Sequence, residues 1–134
     1  MSLIILDTSI LVDDLRTGRY QERIQNLTGL IRSSAVVLAE LLRGATTGSE
    51  RDLLGEIARN HPVLTPTESN WMESGEILSR MRADFGLAPG KLRDLHFDVL
   101  IALTARSHGA RLITSDRGDF EAIRRYRKFD LEVW

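Results

Sequence analysis

The sequence predicts an α/β fold, a three-layer α/β/α sandwich around a mainly parallel central sheet. The short apolar run Leu3–Leu6 shows no alternation of polar and apolar residues, and residues 110–114 are predicted as another short strand. Such runs are typical of strands that are covered on both faces. Segments with helical periodicity separate the short strands, which favours helices on both sides of a parallel sheet. The 134 residues fit one domain over residues 1–134, enough to bury about two-thirds of the surface of the unfolded chain.

The elements are predicted in chain order from apolar periodicity, caps and breakers. The first half gives a strand at Leu3–Leu6, helices at 7–15 and 18–31 (ending near Gly29), and a strand at 34–36 that continues as a helix to Gly44. There follow a helix at 50–59 capped by Ser49, a strand at 63–64 and a long helix at 68–85. The last third gives a loop at 86–94, a helix at 97–109, a strand at 110–114, a helix at 119–128 and a strand at 130–134.

Composition excludes several classes of protein. The chain has no cysteine, so a disulfide scaffold, a thiolate zinc site and a cysteine nucleophile are ruled out. Its 18 basic and 19 acidic residues give a formal charge of −1, so any contact with nucleic acid depends on a local basic patch. The start lacks a basic segment before a long apolar stretch, and no apolar run approaches the length of a membrane span. We therefore expect a cytoplasmic protein without membrane contact.

Acidic residues follow two of the predicted strands. Asp7 comes directly after Leu3–Leu6, and Asp116 and Asp119 follow the strand at 110–114. The carboxyl ends of parallel strands form the edge at which α/β sheets bind ligands. The structural alternative is that these acids cap the helices that begin there, because Asp is a favoured N-cap residue.

Two further acids lie on apolar helix faces. Glu40 stands four residues after Val36, and Asp98 precedes Ile101 and Ala102 by three and four residues. A carboxylate facing a packed layer is costly unless it is paired or binds a cation. For Asp98, the alternative is a charge in the first turn of a helix, where the helix dipole favours an acid. For Glu40, the alternative is an edge residue whose carboxylate reaches water.

These acids could converge at one edge of the sheet. Several carboxylates in a small space raise one another's pKa unless a cation neutralises them. Oxygen ligands without cysteine favour Mg²⁺ or Mn²⁺. The sequence therefore indicates a hard divalent metal site.

The ordered motifs ILDTSILVD, VVLAELLRG, DVLIALTA and TSDRGDF resemble those of PIN-domain ribonucleases of the VapC toxin type, over nearly the whole chain. The resemblance implies a PIN-like fold and a catalytic site of four acids: Asp7, Glu40, Asp98 and Asp116. Asp7, Asp98 and Asp116 are its expected metal ligands, and Ser9, Thr114 and Asp119 its expected supporting residues. Asp116 and Asp119 compete for the role of fourth acid, because both stand in the last motif.

The resemblance further implies Mg²⁺- or Mn²⁺-dependent hydrolysis of RNA phosphodiester bonds, in the toxin of a toxin–antitoxin pair. Such a toxin needs an antitoxin protein, and an arginine of that partner could enter the acidic pocket. A homodimer is also implied. Apolar residues in SSAVVLAELL and around Ile77, Leu78 and Met81 could serve either interface, or could fill the core of the monomer instead.

Cations that follow the last acidic motif are candidates for RNA binding. Arg124 and Arg125, with Arg127 and Lys128 close behind, could meet phosphates that flank the scissile one. The alternative is a solvated helix end whose cations suit the helix dipole. Among the histidines, only His96 is close enough to a motif to touch substrate, and a histidine in a loop or at a helix start is more often structural.

Two other functions compete with the nuclease. An Asp that ends the first strand also marks haloacid-dehalogenase-like phosphotransferases, but Ser9 occupies the position where those enzymes carry a second Asp. A non-catalytic PIN-like binding module is the second alternative, and a metal titration separates it from a nuclease.

Overall fold

The computed structural model describes residues 2–134. Five strands lie in this part of the chain: β1 (Leu3–Leu6), β2 (Leu30–Ser34), β3 (Val63–Leu64), β4 (Ala110–Thr114) and β5 (Asp130–Val133). Seven helices connect them within the same residues: α1 (Thr8–Thr17), α2 (Gln21–Gln25), α3 (Ala35–Gly44), α4 (Gly48–Asn60), α5 (Glu68–Phe85), α6 (Pro89–Ser107) and α7 (Arg117–Arg124).

The strands form one parallel sheet in the order β3-β2-β1-β4-β5. The chain starts in the middle at β1, builds outward through β2 and β3, and then crosses to the other side of β1 to form β4. The order therefore reverses between β1 and β4. In open α/β sheets ligands bind at such a switch point, outside the carboxyl ends of the strands. Asp7 and Asp116 follow the two strands that flank it.

Helices cover both faces of the sheet, which confirms the predicted three-layer fold. On one face, Ile5 and Leu112 pack in a large apolar core with side chains of α3 to α7. On the other, Ile4, Leu6 and Ile113 pack with residues of α1 and α2. The central strands are buried on both sides, which is why their sequences read as continuous apolar runs.

The positions of β1, β3, β4 and α5 were predicted correctly, but the segment before α3 was not. Residues 26–31 do not continue the second helix; the helix ends at Gln25 and β2 begins at Leu30. Gly29 lies between them with φ +146°, and a Cβ there would meet the carbonyl oxygen of Ser2 at 2.8 Å. Only glycine allows this close approach to β1. The strand predicted at 34–36 lies too late in the chain: β2 ends at Ser34, which caps α3 and accepts a hydrogen bond from the Val37 N–H at 3.3 Å.

Three helix ends also differ from the prediction. Residues 89–94 are helical rather than a loop, because Pro89 stands in the first turn of α6, where its missing N–H costs nothing. Thr47, not Ser49, caps α4 and accepts from the Glu50 N–H at 3.1 Å. Helix α7 ends at Arg124 rather than at residue 128.

Candidate metal centre

Asp7 is the most enclosed acid of the candidate site, with 4% of its surface exposed. It stands at the N-cap position of α1, but within residues 2–134 its side chain accepts no capping hydrogen bond from that helix. Two hydroxyls hold Asp7 Oδ2 instead: Thr114 Oγ1 donates to it at 2.7 Å and Ser9 Oγ at 3.0 Å. The capping alternative for Asp7 is therefore wrong, and the carboxylate is fixed at the end of β1.

The same two hydroxyls tie the end of β4 to the end of β1. The backbone N–H of Ser115 donates to Ser9 Oγ at 3.1 Å, and that of Asp116 donates to Thr114 Oγ1 at 3.0 Å. Each hydroxyl thus donates to Asp7 and accepts from the loop that carries Asp116. This network gives Ser9 and Thr114 a supporting position and couples the placement of the two acids.

A cluster of three carboxylates adjoins Asp7. Asp98 on α6 and Asp116 and Asp119 at the start of α7 each offer an oxygen, and these oxygens lie within 4.8 Å of one another. Asp116 Oδ1 also accepts a hydrogen bond from the Asp119 N–H at 3.3 Å, so Asp116 caps α7 as well. The capping and site interpretations of Asp116 are therefore compatible.

Glu40 reaches the same region from α3. Its Oε1 accepts a hydrogen bond from Thr8 Oγ1 at 3.0 Å, which ties it to the residue after Asp7. Its side chain is partly buried, as the sequence predicted for an acid beside an apolar stripe. After burial, the charges of Asp7 and Glu40 have the largest effects on the pKa of Asp98. The structure thus brings the four predicted acids together with Asp119.

Crowding and burial keep these carboxyls from ionising easily. Burial, followed by the charges of Asp7 and Glu40, raises the pKa of Asp98 to about 8. The pKa of Asp7 is raised mainly by burial, against the opposing effect of the Thr114 and Ser9 hydroxyls. Burial likewise raises the pKa of Glu40 and of Asp116. The site is therefore short of positive charge, and a divalent cation would correct that shortage.

Sequence reasoning missed one cation, Lys91. Its Nζ lies 3.0 and 3.1 Å from the two carboxylate oxygens of Asp119, and Asp116 and Asp98 also act on its charge. Lys91 precedes Asp98 by seven residues on α6, which is two helical turns and the same face. That spacing would have revealed it, had residues 89–94 been predicted as helix. Asp119 therefore differs from Asp116: its carboxylate is paired with a lysine.

The residues present fit a hard divalent ion. The donors are carboxylate oxygens, which Mg²⁺ and Mn²⁺ prefer. Three of them converge, and burial, followed by the charges of neighbouring carboxylates, raises the pKa of Asp98. The cluster adds Asp119 to the predicted ligands Asp98 and Asp116, while Asp7 adjoins it.

The predicted basic strip lies away from these acids. Arg124 ends α7 and Arg125 follows it, whereas Asp116 caps the opposite end of that helix. Eight helical residues span about 12 Å, so these arginines would meet phosphates distant from the acids. Arg127 forms an ion pair with Glu73 on α5.

The apolar residues proposed for an interface form one group, and exposed residues of α5 that were not among them form a second. Ile77 and Met81 are buried in the core of the monomer, and so are most of the aliphatic residues of α3. Trp71 and Met72, on the outer face of α5, are 51% and 71% exposed. The core alternative is thus correct for the first group, and α5 offers other residues for a contact.

Comparison with known proteins identifies the family. The PIN domain matches residues 4–126, so the chain belongs to the PIN-domain family. Its fold is similar to that of VapBC2 from Rickettsia felis, solved with a promoter DNA fragment (TM-score 0.76, 24% identity, 98% of each chain covered). It is also similar to DNA-bound VapBC from Salmonella typhimurium (0.72, 25%, 100% of this chain and 99% of that one).

A third similar structure is VapBC-5 from Mycobacterium tuberculosis, described as a member of the VapBC family of toxin–antitoxin systems (TM-score 0.59, 20% identity, 100% of each chain). No curated protein was similar enough in sequence to count as a match. Among residues 2–134, no helix is both long and apolar enough to cross a membrane.

Proposed function

We propose that this PIN-domain protein is a metal-dependent endoribonuclease whose reaction depends on Asp7, Glu40, Asp98 and Asp116. The observation that supports this most strongly is the meeting of these carboxylates, from four separate elements, at the switch point of the sheet. A fold alone hosts many functions, but a crowded carboxylate site with raised pKa values is typical of a catalytic centre. PIN domains are generally nucleases, which agrees with that chemistry.

Each acid has a distinct position in the proposed site. Asp98 and Asp116 would hold Mg²⁺ or Mn²⁺, with Asp7 beside them in an orientation fixed by Ser9 and Thr114. When bound, such an ion supplies an activated water and neutralises charge on the phosphodiester. Glu40, held by its hydrogen bond from Thr8, would accept a proton or a hydrogen bond from a water.

Asp119 and Lys91 form the adaptable part of this site. Their ion pair is half-exposed, with 45% and 31% of the two side chains accessible, so its contribution to stability is small, about 0–1 kcal/mol. Lys91 can leave Asp119 when a divalent ion neutralises the cluster. Its ammonium would then be free to face a phosphate oxygen of the substrate.

The test is cleavage of RNA in Mg²⁺ by the wild type and by Asp7→Asn. The amide keeps the size of the side chain and removes its charge. Loss of groups that merely orient metal ligands costs about 10- to 100-fold, so we expect Asp7→Asn to lose at least about 100-fold. Asp52→Asn, an exposed acid on α4, serves as the control and should cleave normally. Equal rates for the wild type and Asp7→Asn would refute the site.

We further propose that the protein is the toxin of a toxin–antitoxin pair, because solved relatives are complexes of that kind. A cavity of about 560 Å³ between α1, α3 and α4 begins at Glu40 and has apolar walls that include Leu15 and Leu53. Both leucines are about 40% exposed. An amphipathic segment of an antitoxin could lie there and place an arginine against the acids.

Expression alone should arrest growth, and coexpression of the small protein encoded next to it should restore growth. Leu53→Asp should abolish copurification with that protein, whereas Met72→Asp on α5 should not. The predicted homodimer would show by light scattering as twice the mass of one chain. Harmless expression of an active enzyme, or binding that Leu53→Asp leaves intact, would contradict the antitoxin proposal.

A further inference from the structure

A second cleft opens beside the acids and shares Glu40 with the cavity between α1, α3 and α4. It lies between α3 and α6 and has a volume of about 650 Å³, within the usual range for small-molecule sites. Glu40 and Asp98 are among the residues that line it. The cleft therefore adjoins the candidate metal centre.

The walls of this cleft are cationic and aromatic. The guanidinium of Arg43, on α3, lies 5.3 Å from the centroid of the Phe97 ring, on α6. Arg93 adds a second cation from α6, and His96 a second ring. Arginine planes and aromatic faces are the surfaces on which proteins stack unpaired nucleobases.

His96 is held in place rather than free to rotate. Its Nε2 lies 3.1 Å from the hydroxyl of Ser74, a fully buried residue of α5. Its ring also meets Trp71 edge to face, with the ring centroids 5.9 Å apart. The wall is therefore organised before any ligand binds, which lowers the entropy that binding must overcome.

We propose that this cleft is a nucleobase subsite, in which the base next to the scissile phosphate stacks on the Arg43 guanidinium over Phe97. The proposal rests on the ribonuclease function and adds to it a source of sequence preference. A nucleotide has the matching chemistry: a flat base for the Arg43 and Phe97 pair, and a phosphate that reaches a metal held by Asp98. Asp94, also in the wall, offers an acceptor for an exocyclic amino group of the base.

Binding of mononucleotides tests this subsite without any cleavage. The probes are the four ribonucleoside 5′-monophosphates, with ribose 5-phosphate as the probe that lacks a base, each titrated in Mg²⁺ and followed by ¹H–¹⁵N NMR. Stacking is worth about 1–3 kcal/mol per base, or roughly 5- to 150-fold in affinity. At least one nucleotide should bind about fivefold tighter than ribose 5-phosphate and shift the amide signals of Arg43 and Phe97.

Two variants remove the stacking surface in different ways. Phe97→Leu keeps an apolar side chain without a ring face, and Arg43→Lys keeps the charge without the plane. For each variant, the affinities for the nucleotides and for ribose 5-phosphate should differ by no more than about twofold. Phe85→Leu, at an exposed phenylalanine that ends α5, is the matched control and should keep the wild-type preference.

Several outcomes would overturn the proposal. One is that the wild type binds nucleotides and ribose 5-phosphate with equal affinity. Another is that nucleotides shift NMR signals only in other parts of the protein. A third is that the Phe97→Leu variant retains the wild-type preference. Signals of the cleft that respond to an antitoxin peptide but not to nucleotides would assign the cleft to that partner instead. Because these titrations need no turnover, they can fail while RNA cleavage is confirmed, and the reverse is equally possible.

Discussion

Asp98→Asn should stabilise the metal-free protein at neutral and alkaline pH, although it should abolish activity. Burial and the charges of Asp7 and Glu40 raise the pKa of Asp98 from 3.8 to about 8 in the folded protein. Between these values the folded state holds a proton that the unfolded state has lost. The free energy of unfolding therefore falls as pH rises from about 4 to 8.

The size of the effect follows from that change. At 1.36 kcal/mol per pKa unit, a change from 3.8 to about 8 corresponds to at most about 6 kcal/mol at pH 8. Solvent and the Lys91 ammonium screen the charge as it forms, so we expect roughly 2 kcal/mol from the substitution. For a chain of this length that is a rise of about 5–10 °C in Tm. Near pH 4 the two proteins should melt at similar temperatures.

Thermal denaturation in EDTA at pH 4.5, 6, 7 and 8 measures this directly. The wild type should lose stability across the series, and Asp98→Asn should lose less. Mg²⁺ should raise the Tm of the wild type at pH 7.5 and leave that of Asp98→Asn almost unchanged, since only a bound ion stabilises the folded state. Asp94→Asn, an exposed acid one turn earlier on α6, should behave as the wild type. The reasoning would be refuted if Asp98→Asn were no more stable than the wild type at pH 8, or if Mg²⁺ raised its Tm as it raises that of the wild type.

Three further predictions follow from neighbouring contacts. Lys91→Met should tighten Mg²⁺ binding by up to about fivefold in calorimetry, because it frees Asp119 and removes a competing cation. Lys128→Met is the control and should bind Mg²⁺ as the wild type does. Unchanged Mg²⁺ affinity of Lys91→Met would contradict the prediction. Thr114→Val removes the 2.7 Å hydrogen bond to Asp7 and should cut RNA cleavage about 10- to 100-fold, with full activity as the contrary result. Replacing Arg124 and Arg125 together by Gln should reduce the slope of log affinity for RNA against log salt concentration by about 1.4 if both arginines contact phosphates. The slope should not change if the two cations only interact favourably with the helix dipole.

The fold could be predicted because the signals for it are local. Leu3–Leu6 is apolar without alternation, Ala110–Thr114 is mainly apolar, and both are central strands. The start of β2 could not be predicted in this way. Leu30 and Ile31 follow a helical pattern, and only the close approach of Gly29 to Ser2 fixes where that pattern stops.

Glu40 and Asp98 could be singled out because each lies on an apolar helix face, and Asp7 and Asp116 because each follows a predicted strand. Their convergence could be expected from the sheet, since Asp7 and Asp116 follow parallel strands. The pairing of Lys91 with Asp119 depends on how α6 packs beside α7, and the stacking of Arg43 on Phe97 depends on how α3 packs beside α6. Such contacts between helices distant in sequence leave no periodic signal in either segment.

The most direct test of the central claim is the cleavage rate of one RNA substrate by protein stripped of metal, measured before and after Mg²⁺ is added, beside Asp98→Asn and Asp52→Asn. Stripped wild type should be inactive and should recover on addition of Mg²⁺. Asp52→Asn should recover in the same way, and Asp98→Asn should not recover at any Mg²⁺ concentration. Cleavage that persists without metal, or that Asp98→Asn retains, would contradict the assignment of a metal-dependent ribonuclease to this acidic site.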